Sequence, residues 1–325
     1  MKQSPSGIDG QDAMSKAHAS QLSTANKEYS PTRRALAMLE TVYSHRFITA
    51  SQLSALYFSQ SVIKGKDQPN SYCLYLLKGL VANEYLLARR LPPSERGGRS
   101  EHVYLLSRRG AESLAALWGC SVADLDWDRT DRAIRITSLP HYVACSHTRV
   151  RIALSVRTHA GFRIEQWLDE RDLQRKHKGV KLTITTPEGR QQQVGIEPDQ
   201  FFLLMTSRPD SDEQSRYFRF VEVDLGTEPI QASKYDRSSF IKKVLSYLEF
   251  YRSGQYQQLY GAKGMVILTV TTTERRLDSM LKATEQAGGR ERFWFSTFDR
   301  IGNADILCDP VWSLITRSEY SSLVW

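Results

Sequence analysis

Residues 195–228 read GIEPDQFFLLMTSRPDSDEQSRYFRFVEVDLGTE, and this stretch predicts two β-strands that each carry carboxylates. The first strand carries Pro198-Asp199. The second is rich in apolar residues of high strand propensity, and side chains two apart point to the same face, so Glu222 and Asp224 are predicted to project together. Acids on an otherwise apolar strand cost folding free energy, which favours a functional role for them.

Length and composition predict a globular protein. The 325 residues are 41% hydrophobic and 10% aromatic, which is enough for two domains of ordinary size with their own cores. No apolar run approaches the roughly 18 residues of a membrane span, and the N-terminus lacks the apolar core of a signal peptide. We therefore expect a cytoplasmic protein with no membrane partner.

The cysteines give no sign of a disulfide framework or a zinc site. They are widely spaced, without a C-x-x-C pair or a histidine at zinc-finger spacing. Because free cysteine is among the most buried residue types, we expect all four to be buried thiols. They are Cys73, Cys120, Cys145 and Cys308.

The net charge of +8 is concentrated in one part of the chain. Residues 31–110 hold twelve Lys and Arg against five Asp and Glu, whereas the remainder is nearly balanced. A basic domain beside a nearly neutral one favours a polyanion-binding role for the first. The alternative is an ordinary solvated basic surface.

Three helices and a two-stranded hairpin are predicted in the basic region, over residues 30–120, after a disordered polar tail over 1–29. Helical spacing of apolar residues, capping residues and a Pro/Gly-rich loop support these assignments. This order is that of a winged helix-turn-helix domain. The helices are Thr32–Ser44, Ala50–Tyr57 and one from Ser71, and the strands are at Tyr85–Arg90 and His102–Leu106.

The end of this region resembles bacterial winged-helix regulators. Tyr104 to Gly110, read as YLLSRRG, is similar to their Y-x-L-T-x-x-G ending. The resemblance implies double-stranded DNA as partner, with the third helix in a major groove and wing arginines on phosphates. A winged helix used for protein contacts is the alternative. The implied DNA-binding residues are Lys78, Arg89, Arg90, Arg96 and Arg99.

A linker over residues 121–139 is predicted to lead into a second domain over 140–325. Its elements follow the order αβββαβαβ, which favours a mixed sheet with helices on both faces. A basic loop over 175–181 is open to either backbone contact with nucleic acid or solvation. The predicted helices are Tyr142–Ala160, Ser238–Tyr251 and Glu274–Glu285, and strands outside the opening stretch are Phe162–Leu168, Met265–Val270 and Arg292–Phe298.

This order, with acids on successive strands, resembles the αβββαβ core of the PD-(D/E)xK phosphodiesterase superfamily, the restriction-endonuclease-like fold. Asp199 matches the PD position and Glu222 the second acidic position. The resemblance implies that they hold Mg²⁺ or Mn²⁺, hard cations that prefer oxygen ligands and activate water. The position of the superfamily lysine is occupied by Asp224.

Three interpretations of Asp224 stay open. It could be a third metal ligand, or the missing cation could come from Lys242 or Lys243 on the following helix. Lys243 and Tyr247 are four residues apart and so share a helix face. The third interpretation is a degenerate site on a sheet that binds DNA without cutting it.

A narrower resemblance covers most of the chain. The chain is similar to the plasmid replication-relaxation family in the string Glu222-Val223-Asp224-Leu225-Gly226-Thr227-Glu228. The similarity also includes a helix that bears His147, and Lys243 together with Tyr247. The resemblance implies a role in plasmid replication, DNA relaxation or mobilisation. His147 is open to a place near the site or a purely structural one.

The leading hypothesis is therefore a DNA-binding protein of a plasmid or other mobile element that nicks or cleaves DNA with a divalent metal. Asp199, Glu222 and Asp224 would be metal ligands, and Lys243 a cation that contacts phosphate or orients water. The alternative is a non-catalytic DNA-binding regulator or relaxosome accessory factor. The sequence leaves open whether replication, mobilisation or transposition proteins are partners and whether the chain forms oligomers. A covalent tyrosine relaxase fits less well, because no histidine cluster is visible in the sequence.

Overall fold

The computed structural model describes residues 29–58, 69–92, 101–127, 129–207, 214–231, 238–302, 304–315 and 321–323. These residues form a mixed α+β structure with sheets of six, three and two strands. Within the same ranges, no helix has both the length and the apolar character needed to cross a membrane. The predicted tail over residues 1–29 lies outside the described ranges except for Tyr29, which packs against the first core.

The first three helices begin where the sequence offers a capping side chain. The Thr32 hydroxyl accepts from the Ala35 amide, Thr49 forms a capping box with Gln52, and Asn70 caps the third helix. Each cap satisfies amides at a helix start that lack partners within the helix. The helices are α1 (Arg33–His45), α2 (Ala50–Tyr57) and α3 (Ser71–Ala82). The predicted bounds of the first two and the predicted start of the third agree with these to within one residue.

A small antiparallel sheet follows these helices in space. It consists of β1 (Ile48–Thr49), β2 (Leu86–Arg90) and β3 (His102–Leu106), in the order β1-β3-β2. The next helix is α4 (Arg108–Trp118). Buried apolar residues from all four helices and from β1 to β3 form one core.

Gly110, the last residue of the Tyr104–Gly110 motif, has a steric reason to be glycine. A Cβ at this position would lie 2.2 Å from the Tyr85 carbonyl oxygen and 2.7 Å from a methyl carbon of Leu106. Both distances are too short for any side chain, so only glycine lets the start of α4 pack against the strands at this depth. The motif is thus explained by packing within the fold.

Helix α5 (Leu139–Thr158) lies between the N-terminal elements and the large sheet. Gln52 Nε2 donates to the Val143 carbonyl oxygen at 2.9 Å, and Ser146 Oγ donates to the Phe47 carbonyl oxygen at 2.5 Å. On another side of the helix, Ile152 is buried against the sheet. The helix therefore joins the two parts of the molecule.

The segment predicted as a linker is packed along its described residues. Leu125 is buried in the N-terminal core, and Trp127 Nε1 donates to the Leu106 carbonyl oxygen at 3.1 Å. Asp131 is buried, and its Oδ1 lies 2.6 Å from Nη2 of Arg46 in an ion pair. Short 3-10 turns carry the chain from α4 to α5.

The large sheet is mixed, as predicted. Its order is β11-β10-β9-β8-β7-β4, in which β4, β7 and β8 are antiparallel while β8, β9 and β10 are parallel. The predicted apolar strand is β9, which lies inside the sheet between β8 and β10. The strands are β4 (Phe162–Asp169), β7 (Gln200–Ser207), β8 (Gln214–Val223), β9 (Val266–Thr271), β10 (Phe293–Thr297) and β11 (Ser313–Leu314).

Each face of the large sheet is covered by its own layer. Alternating residues of β7 and β8, such as Phe201 and Phe220, pack against one layer, and their neighbours Phe202 and Val221 pack against α5 and the C-terminal segment. The first layer consists chiefly of α7 (Phe240–Arg252), α8 (Gln255–Tyr260) and α9 (Glu274–Gln286).

Several elements were not predicted. The region assigned to a basic loop is partly helical, since it includes the end of α6 (Glu170–Lys176), whose N-cap Asp169 forms a capping box with Asp172. Helix α8 and the hairpin of β5 (Leu182–Thr185) and β6 (Gln191–Val194) were also missed, as were β1, β11 and a short helix over Phe298–Gly302.

The prediction for the cysteines was wrong in part. Cys73 and Cys145 are buried, but Cys120 is exposed and Cys308 is partly exposed. Cys120 follows the C-cap glycine of α4, at a helix end that faces solvent. The general tendency of free cysteine to be buried therefore did not predict the exposure of Cys120 and Cys308.

Candidate active site

Glu222 is held at the end of β8 by two side chains from α7. Lys243 Nζ lies 3.0 Å from Glu222 Oε2, and Tyr247 Oη donates to Glu222 Oε1 at 2.6 Å. Lys243 and Tyr247 reach the same carboxylate because residues four apart lie on one face of a helix. Of the two lysines weighed from the sequence, Lys243 is therefore the one bonded to Glu222, which is itself buried.

Asp199 stands opposite Glu222 across two paired strands. Gln200 pairs with Val221 in the antiparallel register. Asp199 precedes Gln200 and Glu222 follows Val221, so the register places Asp199 beside Glu222. Asp199 Oδ2 accepts from the Val223 amide at 2.7 Å, and its Oδ1 lies 3.2 Å from His141 Nε2. Sheet register thus brings the two carboxylates together.

The electrostatics of this group are those of a crowded buried cluster. Burial raises the pKa of Glu222 to about 7, with Lys243 lowering it and the Asp199 charge raising it. Burial also acts to raise the pKa of Asp199, but hydrogen bonding and attraction from His141 outweigh it, so that pKa is lowered. The Glu222 charge raises the pKa of Lys243, which keeps the ammonium protonated. The cluster therefore contains two neighbouring carboxylates with different proton affinities.

Asp224 lines the same cleft but has its own partners. Arg276 on α9 reaches it at two points, with Nε to Oδ2 at 3.0 Å and Nη2 to Oδ1 at 2.9 Å. Thr271 Oγ1 also donates to Oδ2 at 2.6 Å. Both carboxylate oxygens are thus already hydrogen-bonded, and the structure does not join Asp224 to the contacts around Glu222.

The cluster opens onto a cleft of about 770 Å³. Its lining includes Asp199, Glu222 and Lys243, and also residues 194–197 at and after the end of β6, the start of α5 and the start of α7. A cleft of this size is within the range of ordinary ligand sites.

His141 is the site residue that sequence reasoning missed. It lies in the first turns of α5, and Cys145 Sγ is 3.6 Å from its Nε2. The described residues contain two groups of side chains that could hold a metal ion, each with its ligand atoms within 4.8 Å of one another. One of these groups consists of His141, Cys145 and Asp199. The i, i+4 spacing of His141 and Cys145 was a possible signal, but nothing local linked it to Asp199. His147, the histidine singled out from the sequence, packs against Phe298, with the two ring centroids 6.0 Å apart.

The described residues that were predicted to bind DNA do not line this cleft. Lys78 is exposed on α3, and on β2 Arg90 is exposed while Arg89 is partly buried. Tyr72 and Tyr75 are also exposed on α3, with stacked rings 6.0 Å apart. Arg96 and Arg99 lie outside the described residues.

Comparisons with known proteins give one match. A family model described as replication-relaxation matches residues 39–266, which is more than two thirds of the chain. The matched range runs from α1 to the start of β9 and includes every residue of the Glu222 cluster. Searches of curated proteins and of solved structures found no match.

Proposed function

The chain belongs to the replication-relaxation family, and from this premise we propose that it is a DNA-binding protein of a plasmid or other mobile element that nicks DNA at the Glu222 cluster. One observation carries the proposal. Asp199, Glu222 and Lys243 come from three different elements and converge in a cleft, where Lys243 supplies the cation that the strand itself lacks.

The order of elements around the cluster supports the same function. Helix α5, strands β4, β7 and β8, helix α7 and strand β9 follow the αβββαβ order, with β8 and β9 parallel. This order agrees with the one expected from the resemblance to the restriction-endonuclease-like fold, and it supports that part of the proposal. The hairpin of β5 and β6 is then an insertion between the first two core strands.

The residues present fit a divalent cation. The buried carboxylate of Glu222 and the mostly buried carboxylate of Asp199 are neighbours, and burial together with the repulsion between them raises the pKa of Glu222 to about 7. A cation between them would remove that repulsion, and carboxylate oxygens are the ligands that Mg²⁺ and Mn²⁺ prefer. Asp199 and Glu222 would hold the ion, whereas Asp224 would stay with Arg276.

The chemistry divides between the ion and the protein. A bound divalent ion would activate a water molecule and stabilise charge on the scissile phosphate. Lys243, which stays protonated, would contact a phosphate oxygen and would not act as a base. Tyr247 would keep the Glu222 carboxylate in place through its 2.6 Å hydrogen bond.

The experiment is nicking of supercoiled plasmid by the purified chain with Mg²⁺ or Mn²⁺. We expect Glu222→Ala to lower the rate by at least about 100-fold, because the ion loses a ligand. Glu249→Ala is the matched control, since this glutamate lies on α7 but pairs with Arg252. If Glu222→Ala nicks as fast as the parent, the proposed function is wrong.

The N-terminal region would hold the DNA. Three helices and a β1-β3-β2 sheet fit the winged-helix arrangement, with the exposed face of α3 available to a major groove. That face carries Tyr72, Tyr75 and Lys78, so apolar contact with bases would accompany a phosphate contact. Arg90 on β2 would meet a second phosphate.

DNA binding is tested by fluorescence anisotropy over a range of salt concentrations. Lys78→Ala should weaken binding to any duplex and reduce the slope of log K against log salt by about 1. Arg252→Ala, which removes an exposed arginine from α7, should leave the slope unchanged. An unchanged slope for Lys78→Ala would remove this residue from the interface.

One observation favours a non-catalytic regulator instead. The carboxylate oxygens of Asp199 and Glu222 already have partners within the protein, namely His141, the Val223 amide, Lys243 and Tyr247. A degenerate site would use these contacts only for folding. Calorimetry with Mn²⁺ separates the two functions, because heat of binding that disappears in Asp199→Asn supports the nuclease.

A further inference from the structure

A second group of metal-ligating side chains lies at the opposite end of α5. His159 follows this helix directly, about 27 Å along the axis from His141 at a rise of about 1.5 Å per residue. Its Nε2 is 2.5 Å from Asp305 Oδ2 and 3.5 Å from Cys308 Sγ. One ligand atom from each of the three residues lies within 4.8 Å of the others.

The geometry points to a Zn²⁺ site formed by His159, Asp305 and Cys308. Zinc bonds of about 2.0 Å to nitrogen and 2.3 Å to sulfur at tetrahedral angles put the two atoms about 3.5 Å apart. The His159 and Cys308 atoms already have this separation. The aspartate oxygen needs to withdraw to about 3.4 Å from the imidazole nitrogen, a small rotation of a partly exposed side chain.

The ligand types select zinc over the ion proposed for the Glu222 cluster. A thiolate and an imidazole are ligands of Zn²⁺, whereas Mg²⁺ and Mn²⁺ prefer oxygen. Three protein ligands leave a fourth position for water. The two sites would therefore bind different metals.

Access and orientation are also suitable. The side chains of His159 and Asp305 are 31% and 29% exposed, so an ion can enter from solvent. The second oxygen of Asp305 accepts from the Leu307 amide at 3.1 Å, which fixes the direction of the carboxylate. Such outer contacts accompany most protein metal ligands.

The site would fasten the C-terminal segment to α5. Ile306, Leu307 and Trp312 from this segment are fully buried against the sheet, next to β11 at its edge. His159 and Asp305 are 146 residues apart in the sequence. An ion that joins them binds the folded state and not the unfolded chain, which raises stability.

The test uses Co²⁺ as a spectroscopic probe on the full chain, reduced and stripped of metal with EDTA. We expect a thiolate-to-cobalt charge-transfer band that Zn²⁺ abolishes by displacement. The band should disappear in Cys308→Ser and persist in Cys120→Ser, which alters an exposed thiol outside both ligand groups found among the described residues. It should also persist in Cys145→Ser, which separates this site from the His141 group.

Stability gives a second measurement that does not depend on the variants. Zn²⁺ in large excess over its dissociation constant should raise the melting temperature of the parent protein by roughly 5 °C, reversibly with EDTA. The proposal is overturned if the parent shows no cobalt band, if Cys308→Ser keeps it, or if the band depends on Cys145. No readout involves DNA, so the result is independent of the nuclease proposal.

Discussion

The surroundings of Glu222 and of Asp224 differ, although the two residues are two apart at one strand end and face the same helical layer. Glu222 meets the single ammonium of Lys243 and the Tyr247 hydroxyl, with Asp199 as a like-charged neighbour. Asp224 meets the two-pronged guanidinium of Arg276 and the Thr271 hydroxyl. One carboxylate belongs to a crowded cluster and the other to a closed pair.

The type of cation beside each carboxylate explains this difference between Glu222 and Asp224. A guanidinium satisfies a carboxylate with two parallel hydrogen bonds and leaves little capacity for another ligand. An ammonium is a point charge, and here it is shared between Glu222 and Glu228, at 3.0 and 3.6 Å. The Arg276 region is therefore suited to stability and the Lys243 region to binding a further charged group.

Removal of one partner from the closed pair is expected to have the largest effect on folding. Asp224→Ala would leave Arg276, which is only 18% exposed, without its partner, at a cost of about 3–5 kcal/mol in the free energy of unfolding. Urea unfolding measures this cost. Calorimetry with Mn²⁺ should still detect binding at Asp199 and Glu222.

The control for this variant removes both partners. Asp224→Ala combined with Arg276→Met should recover much of the lost stability, because no buried charge is left unpaired. If the double variant is no more stable than the single one, the pair is not what makes Asp224 important. Loss of Mn²⁺ binding in a folded Asp224→Ala protein would show that Asp224 is a metal ligand after all.

Glu222→Gln should change stability by an amount that depends on pH. The pKa of Glu222 is raised from an ordinary 4.5 to about 7, so between these pH values the folded protein binds more protons than the unfolded chain. The free energy of unfolding then falls as pH rises through this interval. Glutamine resembles the protonated form, so in EDTA the variant should gain on the parent with rising pH, approaching about 3 kcal/mol above pH 7.

Unfolding of both proteins in urea at pH 5 and pH 8 measures this difference. A constant gap between the two curves would mean that Glu222 titrates in the folded state as it does in water. A parent that gains on the variant with rising pH would contradict the buried-cluster interpretation. Asp224→Asn offers the comparison at the closed pair, where we expect a loss at both pH values.

The smallest effect is expected for Tyr247→Phe. The variant loses a hydrogen bond to a carboxylate, worth about 2 kcal/mol when the acceptor is charged. Because the carboxylate carries more charge at pH 8 than at pH 5, the cost measured by urea unfolding should be larger at the higher pH. An equal cost at both values would mean that the hydroxyl contributes by packing alone.

Much of the fold was predictable because its signals are local. The capping box at Thr49 and the apolar spacing of α3 specify helices within a few residues, and the strongly apolar sequence of β9 predicts an interior strand. Helix α6 was missed because Leu173 is its single buried residue, which leaves no periodic pattern. Strands β5 and β6 have four residues each, too few for alternation to stand out.

The sequence by itself determined the arrangements that depend on local backbone geometry. Residues two apart on a strand and four apart on a helix share a face, so the pairs Glu222 with Asp224 and Lys243 with Tyr247 were legible without a structure. The tertiary structure alone decided which partner each acid receives. Arg276, His141 and the His159 group lie 52, 58 and 146 residues from the acids that they meet, and contacts at such separations arise only when strands take their register and helices pack.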